Sequence, residues 1–316
     1  MNNICKTSCV MAFLIAAILL QVSCRKEAVI AGNGTEAYVN FYNASEVLRQ
    51  GNFDLPVPVG GITKFGLSEQ NMIYVNDSIP RPPLFGFHTN NSWPAFAIGN
   101  DDMRQYPSYS SGSISIVDDI GRAENNVYWM PLASGFYRFI YTAVYKNYLV
   151  REGVQLEPKT YTTQYLTEDP ASDSAYRVVS MPAYPYAAAG KVRLQVVHLS
   201  PDAGTVDVYR MDKDGNRQGN AIVRDLAFGN HNEYADIDTT GASATYGNLV
   251  FGFYKAGTAN KLYSVGVPAT SKASFITVIQ GFANATARRI IVNANGYTTV
   301  TWQVTPDLRV NVRRVS

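Results

Sequence analysis

Two hydrophobic patterns divide the chain. Val10–Leu20 (VMAFLIAAILL) is an unbroken apolar run, whereas from Ala37 onward apolar and polar positions alternate. Val39 and Phe41 alternate with Asn40 and Tyr42. Further on, Tyr137, Phe139, Tyr141, Ala143 and Tyr145 alternate with Arg138, Ile140, Thr142, Val144 and Lys146. Period two in aromatic and β-branched residues predicts strands. Shorter runs bounded by Gly, Pro or Asx predict more at 73–75, 113–117, 160–166, 176–180, 205–211, 275–282, 298–304 and 308–315. In the last two, Val300, Trp302, Val304, Leu308, Val310 and Val312 share a face. Arg309, Asn311 and Arg313 take the other, the pattern of a sheet with one wet side.

Residues 25–36 have no periodicity and read as a tether. A second break, Met181-Pro182-Ala183-Tyr184-Pro185-Tyr186-Ala187-Ala188-Ala189-Gly190, carries two prolines and no charge. It reads as an extended linker that mild proteolysis should cut. The expected organisation is a leader at 1–23, a modified Cys and tether at 24–36, one unit at 37–181, a linker at 182–190 and a second unit at 191–316. The units open alike: Phe41-Tyr42-Asn43-Ala44-Ser45 in one, Val196-Val197-His198-Leu199-Ser200 in the other. A tandem repeat of about 130–150 residues follows on the domain-size scale. With 24 Gly and 15 Pro the chain has little room for long helices. Its 27 basic and 25 acidic side chains leave only +2, which argues against nucleic acid as a partner.

The apolar run follows Lys6 and is too short for a bilayer, which takes about 20 residues, but suits a signal peptide. It ends in Leu20-Gln21-Val22-Ser23-Cys24, followed by Arg25-Lys26-Glu27. This resembles a bacterial lipoprotein signal of the looser Bacteroidota form, in which Cys24 is acylated and becomes the mature N-terminus. The resemblance implies an anchor on the outer membrane of a Gram-negative cell, at its surface or its periplasmic face. Cys5 and Cys9 lie in the removed segment, so no disulfide is expected.

Val192-Arg193-Leu194-Gln195-Val196-Val197-His198-Leu199-Ser200-Pro201-Asp202-Ala203, then Val206-Asp207-Val208-Tyr209 and Leu226-Ala227-Phe228-Gly229, resembles the domain of unknown function 4397 family. The resemblance covers about 100 residues from Lys191 on the domain-size scale. It implies a β-sandwich, so the expected fold is all-β with two tandem sandwiches of immunoglobulin-like type, and it brings no activity. The first unit looks like a divergent copy, with Asn43 in the place of His198 and no counterpart of Ser200-Pro201-Asp202.

Candidate chemistry is sparse. His198 shares a face with Val192, Leu194 and Val196 and points to the core. Asn43, its counterpart, cannot act as a base, so bonding to buried backbone accounts for both better than catalysis does. The three His, at 88, 198 and 231, have no zinc spacing. Asp212-Lys213-Asp214-Gly215-Asn216 has the look of a calcium loop, but its glycine comes too early, and an Asp-Gly turn is the stronger reading. Asp101-Asp102 and Asp118-Asp119 read as solvated loop carboxylates. No cofactor, metal or catalytic residue is expected. Tyrosines number 21. Those in breaker-rich loops, Tyr106, Tyr109, Tyr184, Tyr186 and Tyr246 with Trp93, are candidate platforms for a sugar or protein. Ser78, Ser174 and Thr239 follow Asp and resemble the O-glycosylation acceptors of exported Bacteroidota proteins.

The expected function is a non-enzymatic binding or adhesion module for a glycan, peptide or partner envelope protein. The alternatives are a structural envelope component and, behind it, a carboxylate-dependent glycan-active enzyme. Replacing the anchor, Cys24→Ala, should move the mature protein from membrane to soluble fractions, because acyl chains contribute about 0.8 kcal/mol per buried CH₂. A variant that still sediments with outer membrane contradicts the leader reading.

Overall fold

A computed structural model describes residues 35–51, 73–75, 127, 129–143, 147–241, 247–293 and 297–315. The strand expected at 113–117 and the end of the 137–146 run lie outside these. In the first half the elements are β1 (Glu36–Asn43), α1 (Glu46–Gln50), β2 (Ile73–Val75), β3 (Met130–Ala133), β4 (Gly135–Ala143), β5 (Asn147–Leu156), β6 (Tyr161–Glu168) and β7 (Tyr176–Pro182). The second half has β8 (Lys191–His198), β9 (Val206–Met211), β10 (Arg217–Leu226), β11 (Ala235–Asp238) and β12 (Asn248–Lys255). It continues with β13 (Lys261–Pro268), β14 (Ser274–Gln280), β15 (Thr286–Asn293), β16 (Tyr297–Val304) and β17 (Arg309–Arg314). The architecture is all-β, as the alternation predicts. The helix α1 is the one described exception: Ser45 caps it by accepting from Leu48 N, and Glu46 and Arg49 favour its two ends.

Both halves use one strand order. β1 pairs antiparallel with β3 and parallel with β6, and β6 antiparallel with β7. In the same way β8 pairs with β11 and β14, and β14 with β17. The facing sheets, β2-β4-β5 and β10-β9-β12-β13, also correspond apart from β10. Each half thus packs one sheet on another. Phe41, Phe139, Tyr141 and Leu166 lie in the first core. Val196, Phe251, Phe253 and Phe275 lie in the second.

The two central sheets then pack on each other through their outward faces. Tyr42, Tyr165 and Met181 from one meet Val197, Ile276 and Val278 from the other. Four layers result, and strands of the middle two are buried on both sides; every residue of β14 is buried. This corrects the expectation for the last strand. Arg309, Asn311 and Arg313 face the seam between the halves, not solvent, and Arg313 is 1% exposed. Its guanidinium lies 4.3 Å from the centre of the Tyr42 ring and donates to Asn40 Oδ1 at 2.9 Å. Tyr42 in turn donates to Gln280 Oε1 at 2.8 Å and accepts from Asn311 Nδ2 at 2.9 Å. The stretch expected to be an exposed linker begins inside this seam: Met181 and Ala183 are buried, Gln195 Nε2 donates to Pro182 O, and Ser274 Oγ to Tyr184 O. Proteolysis in its first part is therefore disfavoured.

The hairpin β15–β16 departs from the repeat. It is inserted between β14 and β17, yet Ile290 and Val304, with Phe282 before them, belong to the first core, and Val300 and Trp302 pack against it. Val304 and Val310, expected on one face of one sheet, serve different cores. Gly281 sets the exit into this hairpin, at φ +83° with its Cα against the Asp307 carbonyl. A Cβ there would meet Asp307 O at 2.0 Å. Gly281→Ala should therefore destabilise the protein by about 2–3 kcal/mol through positive-φ strain and steric clash. Denaturant titration checks this; a variant as stable as the parent shows that the approach relaxes freely.

Candidate functional site

The opening strand of each half ends in the same polar device. His198 is fully buried; its Nε2 lies 2.6 Å from Gly204 O, and its Nδ1 accepts from Ser200 N at 3.2 Å. The contacts fix Nε2 as the protonated nitrogen. Asn43 Oδ1 accepts from Ser45 N at 3.0 Å, the same bond two residues on. Burial pushes the His198 imidazole below its usual range, against a smaller upward pull from Gly204 O. It bonds backbone on both sides, and among the described residues neither ring nitrogen is held by a carboxylate.

The residues after His198 are structural too. Ser200 is buried, and Asp202 accepts from Ala283 N, Asn284 N and Asn284 Nδ2, which ties this loop to the root of the hairpin. Pro201 leads into that loop. Asp212 Oδ1 accepts from Asp214 N and Asn216 N, closing a turn in which Gly215 has φ +80°. Among the described residues no group of three or more His, Cys, Asp or Glu could hold a metal ion.

Aromatic side chains do converge, at one end of the seam. Tyr38 stacks on Tyr161 with centroids 4.8 Å apart, and Trp129 meets Tyr161 edge-on at 5.2 Å. A hydrogen bond to Tyr186, with burial adding to it, pushes the Tyr161 phenol up to about 12. Two residues before Tyr186, Tyr184 lies 5.1 Å from Tyr234. Arg193 covers that ring at 3.8 Å and pairs through Nε and Nη2 with the two carboxylate oxygens of Asp236. The rims of both central sheets and the segment joining them thus build one ledge. Its outermost rings are open: Tyr186 is 68% exposed and Tyr234 39%. Flat apolar faces beside phenolic hydroxyls and a fixed Arg–Asp pair can stack on one side of a ligand and hydrogen-bond its edges.

Of the platform residues expected from sequence, Tyr184 and Tyr186 stand on this ledge. Trp93, Tyr106, Tyr109 and Tyr246 lie outside the described residues, as do Cys24 and Ser78. Ser174 sits in a bend, its amide bonded to Ser172 Oγ, and the Asp173 before it is held by Arg289. Thr239 donates to Gly190 O at 3.2 Å, and Asp238 pairs with Lys191. Ser174 and Thr239 are both partly exposed. Tyr38, Trp129, Tyr161, Arg193 and Tyr234 were not expected. They come from five segments, and only the prolines beside Tyr184 and Tyr186 hint that rings there would be held at a surface.

Known proteins overlap this region. Residues 121–209 match the family described as Domain of unknown function (DUF4397). The match begins earlier than the resemblance placed from Lys191: it takes in β3 to β8 and the first four residues of β9, and leaves Leu226-Ala227-Phe228-Gly229 outside. Because both halves share one strand order, β3–β7 followed by β8 and β9 contains one repeat read in a different phase. It also spans the seam edge, including Trp129, Tyr161, Tyr184, Tyr186 and Arg193. No curated protein matches the chain. Among solved structures, one described as alpha-glucan binding by a streptococcal virulence factor aligns at 14% identity, covering 77% of this chain and 92% of its own, with TM-score 0.21. A candidate cell adhesion protein from Bacteroides fragilis aligns at 8% identity, covering 86% and 98%, with TM-score 0.16. At these scores neither superposition informs the site.

The buried imidazole gives a pH signature. Its folded pKa is lowered, so the unfolded chain binds the extra proton first. Stability from this group is complete above about pH 6.5, the unfolded value, and is lost as pH falls from there towards the folded pKa. His198→Asn, which copies Asn43, should flatten that loss. Unfolding midpoints at several pH values between neutral and mildly acid check it, and an unchanged slope assigns the acid sensitivity to other groups.

Proposed function

We propose that this chain is a lipid-anchored, non-enzymatic binding module of a Gram-negative outer membrane, and that the ledge at the seam edge holds a glycan. The observation carrying the reading is the convergence of Tyr38, Trp129, Tyr161, Tyr184, Tyr186 and Tyr234 at one rim, with two rings left open. A pyranose presents C–H faces that pack on aromatic rings and hydroxyls that bond polar tips, and this rim offers both. Arg193 and Asp236 are neutralised by each other, which suits an uncharged or weakly charged sugar better than a strongly ionic partner. The Cys24 leader supports placement at a membrane, with the tether giving the module reach. The DUF4397 match includes much of the ledge and brings no activity that would compete with a binding role.

The test is a glycan array on the fragment from Lys26, followed by titration of the best hit. Tyr186→Ala and Tyr234→Ala should each weaken binding about tenfold, as expected for an aromatic contact contributing above 1 kcal/mol. Their melting temperatures should fall by no more than about 4 °C, since each loses only partly exposed contacts, Tyr186 with Tyr161 and Tyr234 with Arg193. Binding that survives both substitutions, or is seen only to protein partners, overturns the glycan reading.

A further inference from the structure

We infer that the β15–β16 hairpin is a clasp on which the first half depends: the half made first closes its core last, when residues 282–304 are delivered from the far end of the chain. The hairpin emerges from the second half but gives Phe282, Ile290 and Val304 to the core built by Phe41, Phe139 and Leu166. None of these three packs in the second core.

Polar contacts fasten the hairpin and its exit. Arg288, buried, donates to the carbonyls of Asp169, Ser172 and Ala175, all in the β6–β7 connection. Arg289 takes Asp173 in a two-point pair. Past the hairpin's end, where the chain enters β17, Glu46, fully buried in α1, accepts from Arg49 and from Arg309 at 2.5 Å, and Asp307 bridges the same two arginines. Gln50 closes the row with bonds to and from Thr305. At its root the hairpin is aimed by Asp202 and by the close approach at Gly281. Without it, Arg288 no longer joins the carbonyls of Asp169, Ser172 and Ala175, and Asp173 loses its two-point pair with Arg289.

The dependence runs one way. The second half keeps both of its sheets and its core when the hairpin is taken away, while the first half loses part of its apolar cover. Contacts this distant in sequence carry a large loop-closure entropy until the intervening structure forms, so they come late. For a chain exported as its leader predicts, the N-terminal half then stays open until the whole chain has crossed.

Hydrogen exchange read by mass spectrometry tests this. In one variant residues 283–306 are replaced by the seven residues Asp169-Pro170-Ala171-Ser172-Asp173-Ser174-Ala175, the connection used at the matching point of the first half. Protection in β1, β4 and β6 should fall at least about a hundredfold, while β9, β12 and β13 stay within about threefold of the parent. A peptide spanning 282–308 should restore the first set. Protection that persists in β1, β4 and β6, or falls equally in both halves, overturns the inference, as does a failure of the peptide to restore it. In the full chain Ile290→Ala and Val304→Ala provide a milder reading. They should speed exchange in β1 and β6 more than in β12 and β13, and equal acceleration contradicts the clasp.

Discussion

Burial of the two central sheets on both faces is the constraint from which the other features follow. A sheet with a dry second face cannot alternate freely between apolar and polar residues, and β14 (SFITVIQ) and β8 (KVRLQVVH) carry apolar side chains in both directions. Several polar residues that enter the seam bond one another across it, although Arg313 Nη1 and Gln195 Oε1 are buried without a hydrogen-bond partner among the described residues. Tyr42, Gln280, Asn311, Asn40 and Arg313 form one connected group drawn from both halves. Burial lowers the Arg313 pKa, and the neighbouring Tyr165 and Tyr42 phenols hold it back. Burial likewise pushes the Tyr165 phenol up to about 12, with Arg313 opposing. Such a group adds little net stability by itself, but breaking one member strands the others, so it fixes how the halves meet.

The clasp extends the same logic to the outer layer. Apolar contacts from Phe282, Ile290 and Val304 say only that the hairpin must be covered. Arg288 and Arg289 decide where it sits, because each is held to particular oxygens on the first half, and Arg309 at the start of β17 fixes its exit against Glu46. Glu168, buried under the start of α1, follows the pattern. Burial raises its pKa, while Ser45 and the Val47 amide favour its charged form, and its position ties β6 to the helix that receives the hairpin. The ledge is a by-product of this geometry. The chain must pass from β7 to β8 along the edge of the seam, and Tyr184 and Tyr186 are carried there with it.

Much of the local structure was legible in residue order. Alternation located β1, β4, β6, β7, β9, β16 and β17 to within a few residues, because period two is a property of the strand itself. The shared openings around Asn43 and His198 pointed to two units with one design, and the side chains there make the same bond to the amide two residues on. The turn at Asp212–Gly215 needed no more than local chemistry. Less legible was α1, whose cap Ser45 is plain but whose five residues are too few for a helical period.

What the sequence determined by itself is therefore the class of fold, the strands and the turn chemistry, all set by interactions among residues close along the chain. The tertiary structure decided which face of each strand is wet, which core each apolar residue joins, and which tyrosines meet. Arg313 and Val304 show why. A period-two pattern says that two faces differ, but it cannot say what covers each one. A third packed layer turned an expected wet face into a seam, and a hairpin reaching back across more than two hundred residues put Val304 beside Phe41. The ledge is assembled from six segments joined only in space, so no spacing along the chain could announce it.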